Sequence, residues 1–401
     1  MSPVLDIICL TLSVVFFWST FVVLIGLLVP GKKHPYKGPR LRFAILVCAR
    51  NEEDVIRLPV KSVMMSKYPA GLRDVIVLAD NCTDRTAEFA RAAGAEVWEK
   101  TTPSHGKGDV LAWGIERVIR DGNHDAVAVF DADNVMCDTW LDSANAALLD
   151  GESVVTGRRH SSNAEVNTIT GWYTVYWDMM NELSNRVRTN LRLSGKLTGT
   201  GFAFLLSSLP KEGWKTYTMV EDVEFTVMHN LRGGRVAYLP DADYADEQPE
   251  TAYAMWRQLR RWATGGWQVL FRYLWSWIKG MSTRPSPRLF DCFFAIIMGI
   301  SVAFIHLFNL STLVCKLVRG EPLEQSLLFF AGVFGFVFAM GWITGIGAVA
   351  LSPKKRSPKW LSVVTFPFFS LVLSASVLYT LVFPTRRWKP IAHKGGANSE
   401  Q

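Results

Sequence analysis

The sequence holds six cysteines but no CxxC spacing, which removes both a disulfide framework and a thiolate zinc site from consideration. It has no charged residue across 7–29 (IICLTLSVVFFWSTFVVLIGLLV) and no basic residue in its first six positions. A secretory signal needs a basic leader, a shorter apolar stretch and a small-residue cleavage site, and all three are missing. The stretch exceeds the ~20 residues a bilayer requires, so it reads as an uncleaved anchor. No nucleic-acid motif accompanies the net charge of +7. The basic excess, mostly beside apolar segments, suits an anionic inner leaflet, and no nucleic acid is expected as a partner.

What is present is divided between the ends and the middle of the chain. Residues 292–315, 326–351 and 360–383 are each apolar enough to predict a transmembrane helix. His306 and Asn309 are expected to make polar contacts between helices, and the GxxxG of Gly341 and Gly345 predicts close helix packing. Cys9, Cys292 and Cys315 fall within these spans, whereas Cys48, Cys82 and Cys137 are expected as reduced cytosolic thiols. Lys32, Lys33, Lys37, Arg40 and Arg42 follow the first span and place the centre of the chain in the cytoplasm. Lys354, Lys355, Arg356 and Lys359 then fall inside as well. Arg386, Arg387, Lys389 and Lys394 would lie outside if all four segments cross. Either the last segment, interrupted by Pro367, is re-entrant, or the tail departs from the rule.

Between the spans the pattern alternates. FAILV (43–47) is a buried strand, followed by a helix through Met65; VIVL (75–78) is a second strand, followed by a helix over 85–93. A third strand is predicted at 95–98, a helix in GKGDVLAWGIERVIR, and a fourth strand at 126–130. This rhythm predicts a parallel sheet covered on both faces, with ligands at the carboxyl ends of its strands. Polar clusters stand at three of those ends: Asn51-Glu52-Glu53, Asp80-Asn81 and Asp131-Ala132-Asp133. The last pair closes the run AVAVF. Like charges so close raise each other's proton affinity unless a cation neutralises them. A hard divalent ion shared with phosphate oxygens would do so and would also offset the charge of a leaving diphosphate.

Further along, GTGFAFLL (199–206) places glycines before an apolar strand, where a backbone approaches a ligand closely or simply turns. MVEDVEFTVMHN (219–230) sets Glu221 and Asp222 just before an amphipathic helix. Dipole compensation explains one acid there, and a general base explains it equally. PETAYAMWRQLRRWATGGWQVLFRYLWSWI (249–278) interleaves tryptophans with bases, the mark of a helix lying at a bilayer surface. Gln258, Arg261 and Trp262 fall on its neighbouring turns.

The ordered set CARNEE, VLADNCTD, GKG, DADN, GTGF, VEDVEF and QLRRW resembles the family-2 inverting glycosyltransferases over residues 42–267. It is most similar to the membrane-embedded cellulose, chitin-oligosaccharide, poly-N-acetylglucosamine and hyaluronan synthases. The resemblance implies an α/β GT-A (Rossmann-like) catalytic domain with interfacial helices and flanking transmembrane α-helices. The expected divisions are an anchor at 1–31, a cytosolic GT-A domain at 32–248, QxxRW and interfacial helices at 249–288, about three transmembrane helices at 289–384 and a polar tail at 385–401. Carried over by position, Ala49 and Glu52 meet the base and ribose, Asp80 contacts the uracil, and Lys107 lies near the diphosphate. Asp131 and Asp133 match the DxD, with Asp133 the expected ligand of Mg²⁺ or Mn²⁺ and Asp131 its companion. Asp222, beside Glu221, matches the base. Gln258, Arg261 and Trp262 line the acceptor and pyrophosphate end.

Two departures stand out, Val220 in place of a threonine before the acidic pair and the lack of a gating-loop motif after Trp262. The implied function is hexose transfer from a UDP-sugar to a growing β-linked polysaccharide at a bacterial plasma membrane, coupled to export. A non-processive transferase acting on a membrane lipid is the alternative, and a catalytically silent membrane scaffold a third reading.

Overall fold

Strand β1 (Phe43–Ala49) shows how the core is built. Phe43, Ile45, Val47 and Ala49 enter one apolar cluster, while Ala44 and Leu46 enter another on the opposite face. Strand β2 (Arg73–Asp80) divides in the same way, Val75 and Val77 against Ile76 and Leu78. A strand buried on both faces has no polar side to show, so its sequence runs apolar without alternation. Each of the Val, Leu, Ile and Phe side chains contributes about 1.5–3 kcal/mol by burial. Helices α2 (Arg57–Met64), α3 (Thr86–Ala92) and α5 (Trp140–Leu149) cover the first face. Helices α4 (Lys107–Asp121) and α8 (Glu221–Leu231) cover the second.

The computed structural model describes residues 3–35, 38, 40–353 and 358–385. Lys37, Lys354, Lys355, Arg356, Arg386, Arg387, Lys389 and Lys394, and with them almost all of the expected polar tail, lie outside the described residues.

The remaining strands are β3 (Glu96–Lys100), β4 (Ala126–Asp131), β5 (Val135–Met136), β6 (Val154–Ser161), β7 (Phe202–Leu205) and β8 (Val236–Asp246). They form one eight-stranded sheet in the order β3-β2-β1-β4-β7-β6-β8-β5. The first four strands are parallel, as the alternation predicted. The sheet as a whole is mixed, which corrects the expectation of a parallel one: β7 runs antiparallel to both β4 and β6. A short run such as FAFL fixes burial but not direction. Direction is set by the excursion through α6 (Thr168–Asp178), the π-helical segment Met179–Arg186 and α7 (Val187–Asn190).

That excursion docks the sheet onto the apolar helices. Tyr173, Val175 and Trp177 of α6 cluster with Met255 and Leu259 of α9 (Ala252–Thr283) and with Phe366 and Phe369 of α12 (Trp360–Val382). Helices α10 (Pro287–Val318), α11 (Leu323–Leu351) and α12 are each long and apolar enough to cross a membrane. Helix α12 continues through Pro367 without a break. Helix α1 (Pro3–Leu28) meets α7 at backbone distance, since a Cβ on Gly26 would stand 2.5 Å from Val187 Cβ. Gly341 and Gly345 of the GxxxG face Pro367 and Phe366. Asn309 Nδ2 donates to the Phe330 carbonyl at 3.0 Å, tying α10 to α11. Arg188 of α7 forms a buried pair with Asp291 of α10 at 2.9 Å, and Trp18 of α1 donates to the same carboxylate at 3.0 Å.

Candidate active site

The parallel registers bring the polar strand ends to one edge, with Cys48 of β1 beside both Leu78 of β2 and Asp131 of β4. Asn51 (φ 57°) and Asn81 (φ 48°), each just past its strand, take the left-handed conformation that asparagine tolerates better than most residues. Their amides then close the exits: Asn51 Oδ1 accepts from Thr83 N at 2.8 Å, and Asn81 Nδ2 donates to Thr102 O at 3.0 Å. Asp80 is buried; its carboxylate accepts from Ser104 Oγ at 2.7 and 2.8 Å and from Asn81 Nδ2 at 2.8 Å.

Lys107 opens α4, although a cation at a helix N-terminus opposes the macrodipole. Its ammonium donates to Asp131 and, at 2.7 Å, to Gly199 O. Burial works against that charge, but Asp131, Cys48 and Glu221 outweigh it and hold the pKa above its ordinary value. The Asp131 amide donates to Asn134 Oδ1 at 2.9 Å and to Thr200 Oγ1 at 3.0 Å. Asp133 accepts from Glu247 N at 3.0 Å, which ties the DAD turn to the end of β8. Burial pushes the Cys48 thiol up to about 12, so it is no nucleophile.

Glu221 and Asp222 are the first residues of α8, both buried. Burial and the like charge of Asp222 push Glu221 up to about 7. Burial also raises Asp222, against the Val223 amide and the charges of Lys107, Lys196 and Arg261. Glu224, one turn on, accepts from the amides of Tyr217 and Thr218 at 2.7 Å and from Tyr273 Oη at 2.8 Å, locking the approach to the acidic pair onto α9. Val220 packs against Gly265 so closely that a Cβ there would stand 2.6 Å from Val220 Cγ1.

Ala49, Glu52, Asp80, Lys107, Asp131, Asp133, Glu221, Asp222, Gln258, Arg261 and Trp262 all line one cavity of about 1270 Å³. Gln258 Oε1 is buried there without a hydrogen-bond partner among the described residues. Trp262 stacks on Tyr176 with centroids 5.8 Å apart and meets Trp177 edge-on at 5.7 Å. Sequence reasoning missed part of this wall. Arg159 of β6 pairs with Asp246, donates to Thr198 O at 2.6 Å and lies 3.7 Å from the centroid of Trp177. The signal was available in VVTGRRHS, since arginine on a buried strand has to be paired. From this wall the cavity continues past Lys196 and Arg188 to Phe16, Phe17 and Leu24 of α1, Ile296 and Phe308 of α10, and Phe336 of α11.

Two carboxylates of a DxD at the ligand edge of a mixed α/β sheet, joined through one cavity to an acidic pair and a QxxRW helix, define a GT-A glycosyltransferase. Residues 39–265 match the family described as glycosyltransferase like family 2, and the chain belongs to that family. It is 28% identical over 287 residues to the probable glycosyltransferase YdaM of Bacillus subtilis, covering 67% of each chain. It is 24% identical over 384 residues to the beta-monoglucosyldiacylglycerol synthase of a Synechocystis species, covering 90% of this chain and 76% of that one. The poly-beta-1,6-N-acetyl-D-glucosamine synthase of Staphylococcus aureus is 27% identical over 272 residues, 66% of this chain and 63% of that one. Among solved structures, the mannosyltransferase PcManGT from Pyrobaculum calidifontis, in complex with GDP-Man and Mn²⁺, shares the fold. Its TM-score is 0.55 at 18% identity, over 94% of this chain and 99% of that chain.

Proposed function

We propose that this glycosyltransferase moves a hexose from a UDP-sugar to the hydroxyl of a membrane lipid, with inversion at the anomeric carbon. One observation carries the reading: the cavity runs unbroken from Asp80, Lys107, Asp131 and Asp133, past Asp222, into a space between α1, α10 and α11 whose far lining is mostly apolar. Acyl chains gain more from Phe16, Phe308 and Phe336 than a hydrated polysaccharide does. A polysaccharide acceptor remains the second reading. What favours it is the aromatic wall of Tyr176, Trp177 and Trp262, a surface on which a sugar ring can stack.

Asp131 and Asp133 supply hard oxygen donors of the kind Mg²⁺ and Mn²⁺ prefer. Among the described residues no cluster of three or more His, Cys, Asp or Glu side chains is gathered for a metal. The pair therefore fits an ion that completes its shell with diphosphate oxygens and water. When bound, such an ion offsets the negative charge that grows on the departing diphosphate. Lys107, which already occupies the cation's place against Asp131, would turn to that diphosphate, and Arg261 adds a second positive charge. In the displacement the acceptor oxygen bonds to the anomeric carbon, the bond to UDP breaks with its electron pair leaving on UDP, and the hydroxyl proton passes to Asp222. The bilayer as partner, the cytoplasmic placement of the catalytic domain at a bacterial plasma membrane and the domain divisions given above belong to the same proposal.

The test uses the purified full chain in lipid vesicles with UDP-glucose, UDP-N-acetylglucosamine and UDP-glucuronate, each with and without Mg²⁺ or Mn²⁺. The expected result is metal-dependent UDP release and one product that partitions with lipid. A ladder of polymers moves the assignment to polysaccharide synthesis. UDP release no greater than that of D222N, with every donor, leaves the silent scaffold.

A further inference from the structure

Residues 194–201, between α7 and β7, form a strap whose consecutive backbone groups are anchored to different elements. Gly195 N donates to Val236 O at 2.8 Å. Asn185, from the π-helical segment, clamps Lys196 through both amide atoms, accepting from its N at 2.9 Å and donating to its O at 3.1 Å. Leu197 N donates to Thr226 Oγ1 at 3.1 Å, and that hydroxyl donates to Asp222 O at 2.9 Å. Thr198 O and Gly199 O accept from Arg159 and Lys107, and Tyr244 Oη donates to Thr200 O at 3.0 Å. Two hydrogen bonds in series thus tie the Lys196–Leu197 peptide to the turn that Asp222 begins.

The strap's backbone is anchored at most of its residues, but the Lys196 side chain is not. It lines the cavity and, among the described residues, has no hydrogen-bond or salt-bridge partner. The other cavity cations are mostly committed: Lys107 to Asp131, Arg159 to Asp246 and Arg188 to Asp291. An unpaired ammonium in a half-buried wall is costly, and a strap has no structural use for one.

We propose that Lys196 is a positioning residue whose ammonium supplies the counter-charge that keeps Asp222 ionised as an acceptor displaces water from the cavity. The proposal rests on Asp222 being the base. Asp222 also faces Glu221 on its own turn, Lys107 of α4, Arg261 of α9 and Tyr176 of α6. Lys196 faces Arg188 of α7 and Cys292 of α10. Burial lowers the Lys196 pKa and raises that of Asp222, and each charge offsets the other's burial. Lys107, Lys196 and Arg261 all act on the base; Lys107 is already bonded to Asp131, and Lys196 belongs to the strap tied to the base's helical turn.

An infrared carboxyl titration of the full chain in nanodiscs tests this without substrate. An E221Q background leaves one acid of the pair to read, and D222N identifies its band. In K196M the Asp222 midpoint should rise by about one pH unit or more, the size expected when an opposite charge is lost beside a carboxylate. K196R should restore it, and the acidic limb of UDP release from UDP-glucose should move in the same direction. If K196M does not fold, K196Q serves the same reading. An unmoved midpoint in folded K196M, with D222N inactive, overturns the role of Lys196 alone. Turnover by D222N overturns the base assignment and this proposal with it.

Discussion

The Lys107 ammonium is bonded to the Asp131 carboxylate, so the start of α4 and the exit of β4 are joined by charge at the edge proposed for the diphosphate. Removing the cation should cost nucleotide affinity without unfolding the sheet. In K107M, UDP binding in the presence of Mn²⁺ should weaken by about 10–100-fold, the range of a charge-assisted hydrogen bond. D133N should lose the dependence of that binding on Mn²⁺. Calorimetric titration of both variants checks this.

Glu221 and Asp222 share one buried turn, and both carboxyls are raised, Glu221 to about 7. Raised values mean that the protonated form persists toward neutrality, whereas a base works only when ionised. Turnover should therefore begin to fall at a pH above the ordinary carboxylate range as the medium is acidified. E221Q removes a like charge and should shift the acidic limb to lower pH, and D222N should lower turnover by ~10²–10⁴-fold. The pH profile of UDP release distinguishes these outcomes.

Asp291 is fully buried, and its partners Arg188 and Trp18 come from two other helices. D291A leaves the guanidinium buried without its counter-ion and should destabilise the chain by about 3–5 kcal/mol. A double variant, R188M with D291L, should recover much of the loss, because the desolvation of both charges disappears with them. Thermal unfolding in detergent measures both.

Burial, with Arg232 and Arg288 nearby, lowers the His229 pKa to about 4, and Ser153 Oγ lies 3.0 Å from its Nε2. The fold holds this ring neutral, while the unfolded chain protonates it near the ordinary value of ~6.5. Stability from this site is present above pH ~6.5 and is lost as pH falls toward about 4, amounting to up to about 3 kcal/mol by linkage. Melting temperatures of the wild type should fall across that window more steeply than those of H229Q.

Much of this was legible in the sequence because the strands are buried on both faces. FAILV, VIVL and AVAVF have no polar side to confuse their period, and each ends where its cluster of Asn, Asp or Glu begins. The direction of β7 was not legible, since a four-residue apolar run carries no sign of orientation. Nor was the role of SGKLT, where nothing in the residue types tells that Asn185 and Thr226, from distant elements, will hold the backbone in place. Arg159 and Trp177 were passed over for a related reason: their pairing with Asp246 and Trp262 exists only in three dimensions.

Helix α9 carries Gln258, Arg261 and Trp262 in its first half and reaches Thr283 without interruption, while the family match ends at residue 265. A fragment trimmed at that limit would sever the rod in mid-span and strip the cavity of its far wall. The α10 and α11 side chains that share the cavity with Asp131 and Asp222 would be lost with it, so expression strategies have to carry the apolar helices along.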